Sequence, residues 1–328
     1  MNIKFMEWNI HGMNGYKYNM PVNFINNEII KVMPDVFVLI EYIDNEKFRE
    51  LICKNYHIRY GGEYGNKVLI GVKKNICECD ISNDSISKIG ITADPGEGKG
   101  INGEKVKLNR PDMLQISFKI NDKLIRIIGT RIHVSNYKQD NYKLLKEVQE
   151  INNKLSLQNM LEAKYRKFQF DCIVSEICKN NIYDATIVSG DFNCYAYDEN
   201  HIDKLYTEQD LPRKDEKQEL DGRINYYSYP IINKNIKEIN YLLKTPNKMI
   251  NLLGEKIVGF NDVYSSYWIN YASTTLFKYD HLICSKNIRI IDEDFYYSWD
   301  FMKRIDYIKN NRNCPDHAKM IAEIEIVN

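Results

Sequence analysis

Apolar positions along the chain follow two alternating periods, short runs of strand character and longer stretches of helical spacing. Ile3 to Ile10 reads as a strand. Phe24 to Met33 places Ile25, Ile29, Val32 and Met33 on one helical face, and Pro34 ends that helix because proline cannot continue its hydrogen-bond ladder. Asp35-Val36-Phe37-Val38-Leu39-Ile40 is a continuous apolar run, the pattern of a strand covered on both faces. Val68 to Val72, Met113 to Ile120 and Leu124 to Ile128 predict further strands, the last two joined by the polar turn Asn121-Asp122-Lys123. Helical spacing returns at Tyr142 to Leu157, through Leu144, Leu145, Val148, Ile151 and Leu155, and at Phe168 to Cys178. Strand patterns resume at Ala185 to Ser189, Leu282 to Ser285, Ile288 to Ile291 and Met320 to Val327.

No internal repeat and no linker-like shift in composition interrupts this alternation, which predicts one α+β domain over residues 1–328 with insertions near 90–110 and 194–260. The first insertion carries Gly96, Gly98, Gly100 and Gly103 among Lys99, Lys105, Lys107 and Arg110. It is not a triphosphate-binding loop, since Gly100 follows Lys99 where a hydroxyl residue is required. A surface connection and a loop lying over a phosphate backbone both fit it. The second insertion is polar and tyrosine-bearing, with Tyr195, Tyr197, Tyr206, Tyr226, Tyr227 and Tyr229 as candidate base-stacking side chains.

Composition narrows the class. The 328 residues are 44% hydrophobic and 27% charged, which excludes a disordered tail, a fibrous repeat and a disulfide-held miniprotein. Lys and Arg number 45 against 45 Asp and Glu, so the chain lacks the basic excess of a protein that coats long nucleic acid. Its 8 cysteines show no CxxC pair and no zinc-ligand spacing. No secretory leader pattern opens the sequence, and no apolar stretch approaches the ~18 residues of a membrane span. The expectation is a cytoplasmic protein with reduced thiols and no membrane partner; nothing in the pattern points to a protein partner.

Unusual polar residues stand repeatedly at the margins of these apolar runs. Trp8-Asn9 closes the first, Glu41 the buried run, Arg131-Ile132-His133 the Leu124 strand, and Asp191-Phe192-Asn193 the strand ending in Gly190. Asp280-His281 opens another strand and Asp316-His317 precedes the last. Singly, each is an ordinary turn or strand-end residue; jointly they predict one convergent polar pocket.

In this order, Trp8-Asn9-Ile10-His11-Gly12, Glu41, His133-Val134-Ser135-Asn136, Gly190-Asp191-Phe192-Asn193, Tyr279-Asp280-His281 and Pro315-Asp316-His317 resemble the endonuclease/exonuclease/phosphatase superfamily, in its deoxyribonuclease I-like and exonuclease III-like branches. The resemblance implies a four-layer α/β/β/α sandwich with the site at the strand ends. It implies Asn9, Glu41 and Asp316 as ligands of Mg²⁺, with Mn²⁺ possible. Asp191 would orient or deprotonate the attacking water, Asn193 would fix that water or a phosphoryl oxygen, and His317, oriented by Asp280, would donate to the phosphate. His133 would act as general acid toward the leaving group. Asn136 would contact phosphate, and Arg110 is a further phosphate-contact candidate. His11 departs from the pattern by replacing an aspartate near the metal, so it either makes that shell less acidic or contacts substrate. Pro315 stands where serine is common. The function so implied is a Mg²⁺-dependent phosphodiesterase, a nuclease hydrolysing DNA or RNA by direct in-line attack of water. The alternatives are a phosphomonoesterase acting on an inositol phosphate or nucleotide and, more remotely, a non-catalytic binding protein on the same fold.

Overall fold

A computed structural model describes residues 2–10, 21–61, 67–77, 96–99, 105–108, 111–133, 169, 172–173, 175–177, 182–193, 260–269, 276–285, 287–291, 296–298, 315 and 317–327. One sheet is ordered β12 (Ile288–Ile290), β14 (Lys319–Ile326), β1 (Asn2–Asn9), β2 (Val36–Tyr42), β4 (Lys67–Lys73), β3 (Tyr56–Gly61), with β13 (Tyr296–Ser298) also paired to β14. The other is ordered β10 (Phe260–Ile269), β11 (Leu276–Ser285), β9 (Ala185–Asp191), β8 (Lys123–Arg131), β7 (Asp112–Ile120). The pairs β1/β2 and β8/β9 are parallel.

Strand alternation decides which residues lie between the sheets. Ile3 and Phe5 of β1, Val36, Val38 and Ile40 of β2, Leu114, Ile116 and Phe118 of β7, Ile125 and Ile127 of β8, and Ile187 of β9 form one buried cluster spanning both sheets. The opposite face of the first sheet, with Met6, Trp8, Phe37, Leu39 and Tyr42, packs on α1 (Val22–Val32) and α2 (Glu46–Ile52) through Phe24, Ile25, Ile29, Phe48 and Ile52. Behind the second sheet, positions 169, 172–173 and 175–177 are helical, and the buried Arg126 of β8 donates from Nη1 to the Ile177 carbonyl at 3.2 Å. Helix, sheet, sheet and helix thus stack as the expected α/β/β/α sandwich. The sheets approach closely at Gly129, where a Cβ would lie 2.6 Å from Val68 and 2.8 Å from Val38.

The expected elements recur with shifted ends. The helix expected from Phe24 begins at Val22 and closes on Met33, which takes a left-handed conformation (φ 49°) immediately before Pro34. The β7–β8 turn is tighter than expected: Asn121 and Asp122 both have positive φ (47° and 65°), the primed geometry that suits a two-residue hairpin loop. Part of the 90–110 region is a hairpin, β5 (Gly96–Lys99) with β6 (Lys105–Leu108). β3, α2 and β10 go beyond the sequence pattern. The predicted helix at 142–157 and residues 194–259 lie outside the described residues. No helix among the described residues is long and apolar enough to cross a membrane. The described cysteines Cys53, Cys77, Cys172 and Cys284 are free thiols.

Candidate active site

The alternation that fills the sandwich with aliphatic side chains continues to the ends of the strands, where the inward positions turn polar. In β1 the inward series Ile3, Phe5 is followed by Glu7 and Asn9; in β7 the series ends at Asp112, in β8 at Arg131, in β9 at Asp191 and in β11 at Asp280. Asp191 and Asp280 are direct register partners across β9 and β11.

Glu41 reaches the same place by breaking the alternation. Leu39 and Tyr42 both face the helices, with a bulge between them, and Glu41 has φ 57°. A bulge adds a residue and re-aims its side chain; without it, Glu41 would share the helix-facing side of Leu39. Glu41 follows the apolar run as expected, and the strand continues one residue beyond it, to Tyr42.

Gly190 explains its own identity. It has φ 148°, and a Cβ there would stand 1.8 Å from the Thr130 carbonyl oxygen, so β8 and β9 could not pair so closely around any other residue. Asn193 follows with φ 49°. Its backbone N–H donates to Asp191 Oδ1 at 2.7 Å, and its Nδ2 donates to Asp191 Oδ2 at 3.0 Å and to the Ile132 carbonyl at 2.8 Å. Left-handed backbone at Glu41 and Asn193 is the kind of local strain that concentrates where a site must be aimed.

Asn9 joins the two halves. Its Nδ2 donates to Asp191 Oδ2 at 3.1 Å and lies 3.4 Å from Glu41 Oε1. His317 Nδ1 is 2.7 Å from Asp280 Oδ2, a contact that fixes the orientation of the ring. Trp8, from the helix side of β1, donates its indole N–H to the His317 carbonyl at 2.9 Å and holds the main chain behind the ring. His133 is gripped on both sides, Nε2 at 3.1 Å from Asp112 Oδ2 and Nδ1 at 3.4 Å from Arg131 Nη1. Its backbone is clamped by the buried Gln169 amide, which accepts from the His133 N–H at 2.7 Å and donates to its carbonyl at 2.9 Å.

The described candidates Asn9, Glu41, His133, Asp191, Asn193, Asp280 and His317 thus occupy one end of the sandwich. His11, Arg110, Asn136 and Asp316 lie outside the described residues. His281 points to the opposite side from Asp280 and stacks on Phe192 with 4.8 Å between ring centroids. Two buried residues of the site were not anticipated, Glu7 and Asp112, and Arg131, which the sequence places at the close of its strand, was given no role. Each carries a signal in the sequence, since each sits in phase with the apolar inward positions of its own strand.

Asp191, Asp280 and His317 each present a ligand atom within 4.8 Å of the others, a group that can hold a metal ion. The donors fit a hard divalent cation, being chiefly carboxylate oxygens, and Asp280 Oδ1 is buried with no hydrogen-bond partner among the described residues. Burial, reinforced by Asp280, pushes the Asp191 carboxyl up from 3.8 to about 6 against the lowering effect of His317, Arg131 and the Asn193 N–H. Glu7 is fully buried and neither of its carboxylate oxygens has a hydrogen-bond partner among the described residues. Burial, with Asp280 and Asp191 nearby, drives its carboxyl well above the ordinary range.

Both shifts make the metal-free protein less stable as pH rises. The contribution of Asp191 is intact below about 3.8 and is lost as pH climbs through about 6, and Glu7 extends the loss upward. Glu7→Gln, which removes a buried ionisable group and keeps its shape, is expected to stabilise the metal-free protein at pH 7 by about 1–3 kcal/mol. Urea unfolding in a chelating buffer reads this directly; an unchanged or lower midpoint would show that Glu7 has a compensating partner.

By sequence, no family model and no curated protein matches the chain. By structure, it has the endonuclease/exonuclease/phosphatase, or deoxyribonuclease I-like, fold. It is similar to an endonuclease/exonuclease/phosphatase from Bacteroides vulgatus, with TM-score 0.53 and 10% identity over 99% of both chains. It is also similar to D. rerio TDP2 complexed with a single-strand DNA product, with TM-score 0.51 and 10% identity over 99% of both chains.

Proposed function

We propose that this chain is a divalent-metal-dependent phosphoric ester hydrolase, a phosphodiesterase that cuts nucleic acid by direct attack of water. The observation that carries the reading is the His317–Asp280 pair at 2.7 Å set beside the buried Asp191, itself tied through Asn9 to Glu41. Phosphodiester hydrolysis needs a base for water, a cation on the phosphoryl oxygens and a proton for the leaving oxygen. Asp191, held by Asn193, takes the proton of a water as its oxygen bonds to phosphorus. His317, kept in one tautomer by Asp280, donates from Nε2 to a phosphoryl oxygen. The bond to the leaving oxygen breaks as that oxygen gains a proton. His133 is the candidate donor, and must exchange its contact with Asp112 or Arg131 for the substrate to do so. Asn9, Glu41 and Asp316 are the residues that would hold Mg²⁺ or Mn²⁺, which when bound would neutralise phosphoryl charge. Asn136, Arg110 and His11 are the proposed substrate contacts. Nucleic acid is favoured over a small ester because one structure of this fold holds a single-strand DNA product.

The test is hydrolysis of plasmid DNA, single-stranded DNA, RNA and inositol polyphosphates with Mg²⁺, Mn²⁺ or chelator. Cleavage of a nucleic acid that chelator abolishes is the expected result. Release of inorganic phosphate from the small esters alone would replace the diesterase reading with a monoesterase, and no turnover with any of them would overturn both.

A further inference from the structure

Among the described site residues, one is a cation. Arg131 ends the inward series Ile125, Ile127, Gly129 of β8, and its guanidinium stands between the acidic groups of both sheets. Nη2 is 2.8 Å from Glu41 Oε1, Nη1 is 4.0 Å from Asp112 Oδ2, and Nε is 3.9 Å from Asp191 Oδ2. Nη1 also faces His133 Nδ1 at 3.4 Å. It therefore touches the principal proposed metal ligand, the proposed base and the proposed leaving-group acid, while only 8% exposed.

We propose that Arg131 is a phosphate-binding residue that shares Glu41 with the divalent ion. In the free protein the guanidinium holds the Glu41 carboxylate; with ion and phosphate ester both bound, it turns its planar fork to a phosphoryl oxygen. The inference rests on the proposed hydrolase reading and names what that site adds to it.

Charge supports this division. A divalent ion on Glu41 and a guanidinium 2.8 Å from the same oxygen repel each other, so each weakens the other's hold. A phosphate placed between them reverses the sign, because its oxygens attract both. Ion and phosphate should therefore bind synergistically, and the synergy should pass through Arg131. The guanidinium suits the second partner in particular, since its fixed donors match phosphate oxygens in pairs where an ammonium offers a single point of charge.

The experiment is calorimetric titration of Mn²⁺ into the full chain, with and without inorganic phosphate, for wild type, Arg131→Gln and Arg131→Lys. Thermal melts report folding of each. Arg131→Gln is expected to bind Mn²⁺ about tenfold more tightly without phosphate, the scale on which neighbours of a metal ligand tune affinity. It should bind phosphate at least about tenfold more weakly, the worth of one charge-assisted pair, and lose the enhancement each ligand gives the other. Arg131→Lys should keep wild-type Mn²⁺ affinity and still lose phosphate affinity; it decides the matter should Arg131→Gln not fold. Wild-type binding of both ligands, unchanged in a folded variant, overturns the role of Arg131 and leaves the hydrolase reading standing. A wild-type chain that binds neither ligand overturns both.

Discussion

Replacing His317 with alanine is expected to lower turnover of the cleaved nucleic acid by about 10²–10⁴-fold while the protein stays folded, the range for loss of a positioned proton donor. Asp280→Asn should fall nearly as far, because the 2.7 Å contact to Nδ1 sets which ring nitrogen carries the proton toward substrate. The double variant should be no worse than His317→Ala alone, since the two side chains act as one unit. Single-turnover cleavage at saturating metal measures this, with a thermal melt confirming the fold. Turnover within tenfold of wild type in a folded His317→Ala protein would show that the pair is a structural ion pair. That alternative is physically reasonable: His317 is 5% exposed and Trp8 anchors its carbonyl. The activity ratio separates the two.

The site was legible in the sequence to the extent that its residues sit in short blocks with unusual chemistry. Gly190-Asp191-Phe192-Asn193 can be recognised because its two ends have local reasons: the glycine for the approach of Thr130, the asparagine for the left-handed turn that carries its amide back to Asp191. Asn9, Asp280 and His317 were readable as polar residues at strand margins. Arg131 stood at such a margin without a role, and Asp112 and Glu7 were passed over, because a charged residue near a strand end, read alone, is indistinguishable from a solvated one. The register between strands is what brings all three to the same end of the sandwich. The same limit explains Glu41: its residue type was conspicuous, but the bulge that aims it depends on pairing with β4 and leaves no mark in the alternation of β2. β3 shows the limit for the fold, since Tyr56, Ile58 and Tyr60 alternate with His57 and Arg59 too briefly to stand out as a strand.

Removal of Glu28 is expected to destabilise the protein by about 3–5 kcal/mol, although it lies on the far side of the first sheet from the site. Glu28 of α1 and Lys319, the first residue of β14, form an ion pair at 2.7 Å with side chains only 3% and 4% exposed, and the ammonium lies 5.7 Å from the centre of the Trp8 ring. Burial pushes the Glu28 carboxyl up, but hydrogen bonds and charges from Lys31 and Lys319 outweigh it and hold it below its ordinary value. The pair therefore contributes above the ordinary carboxylate range and weakens as pH falls through the lowered value. The two halves should not respond alike. Lys319→Met leaves Glu28 its second partner, the half-exposed Lys31 at 2.7 Å, whereas Glu28→Met takes from the buried Lys319 the carboxylate 2.7 Å away. Glu28→Met should thus cost more than Lys319→Met, and the double methionine variant should recover most of the loss, because two apolar groups replace two paired charges without a buried remainder. Urea unfolding of the three variants measures the cycle; a Glu28→Met loss below about 1 kcal/mol would show the pair to be as weakly coupled as a surface one. Since Lys319 follows His317 by two residues and the Trp8 indole holds the His317 carbonyl at 2.9 Å, turnover in Glu28→Met should fall as well, with no substituted atom in the site.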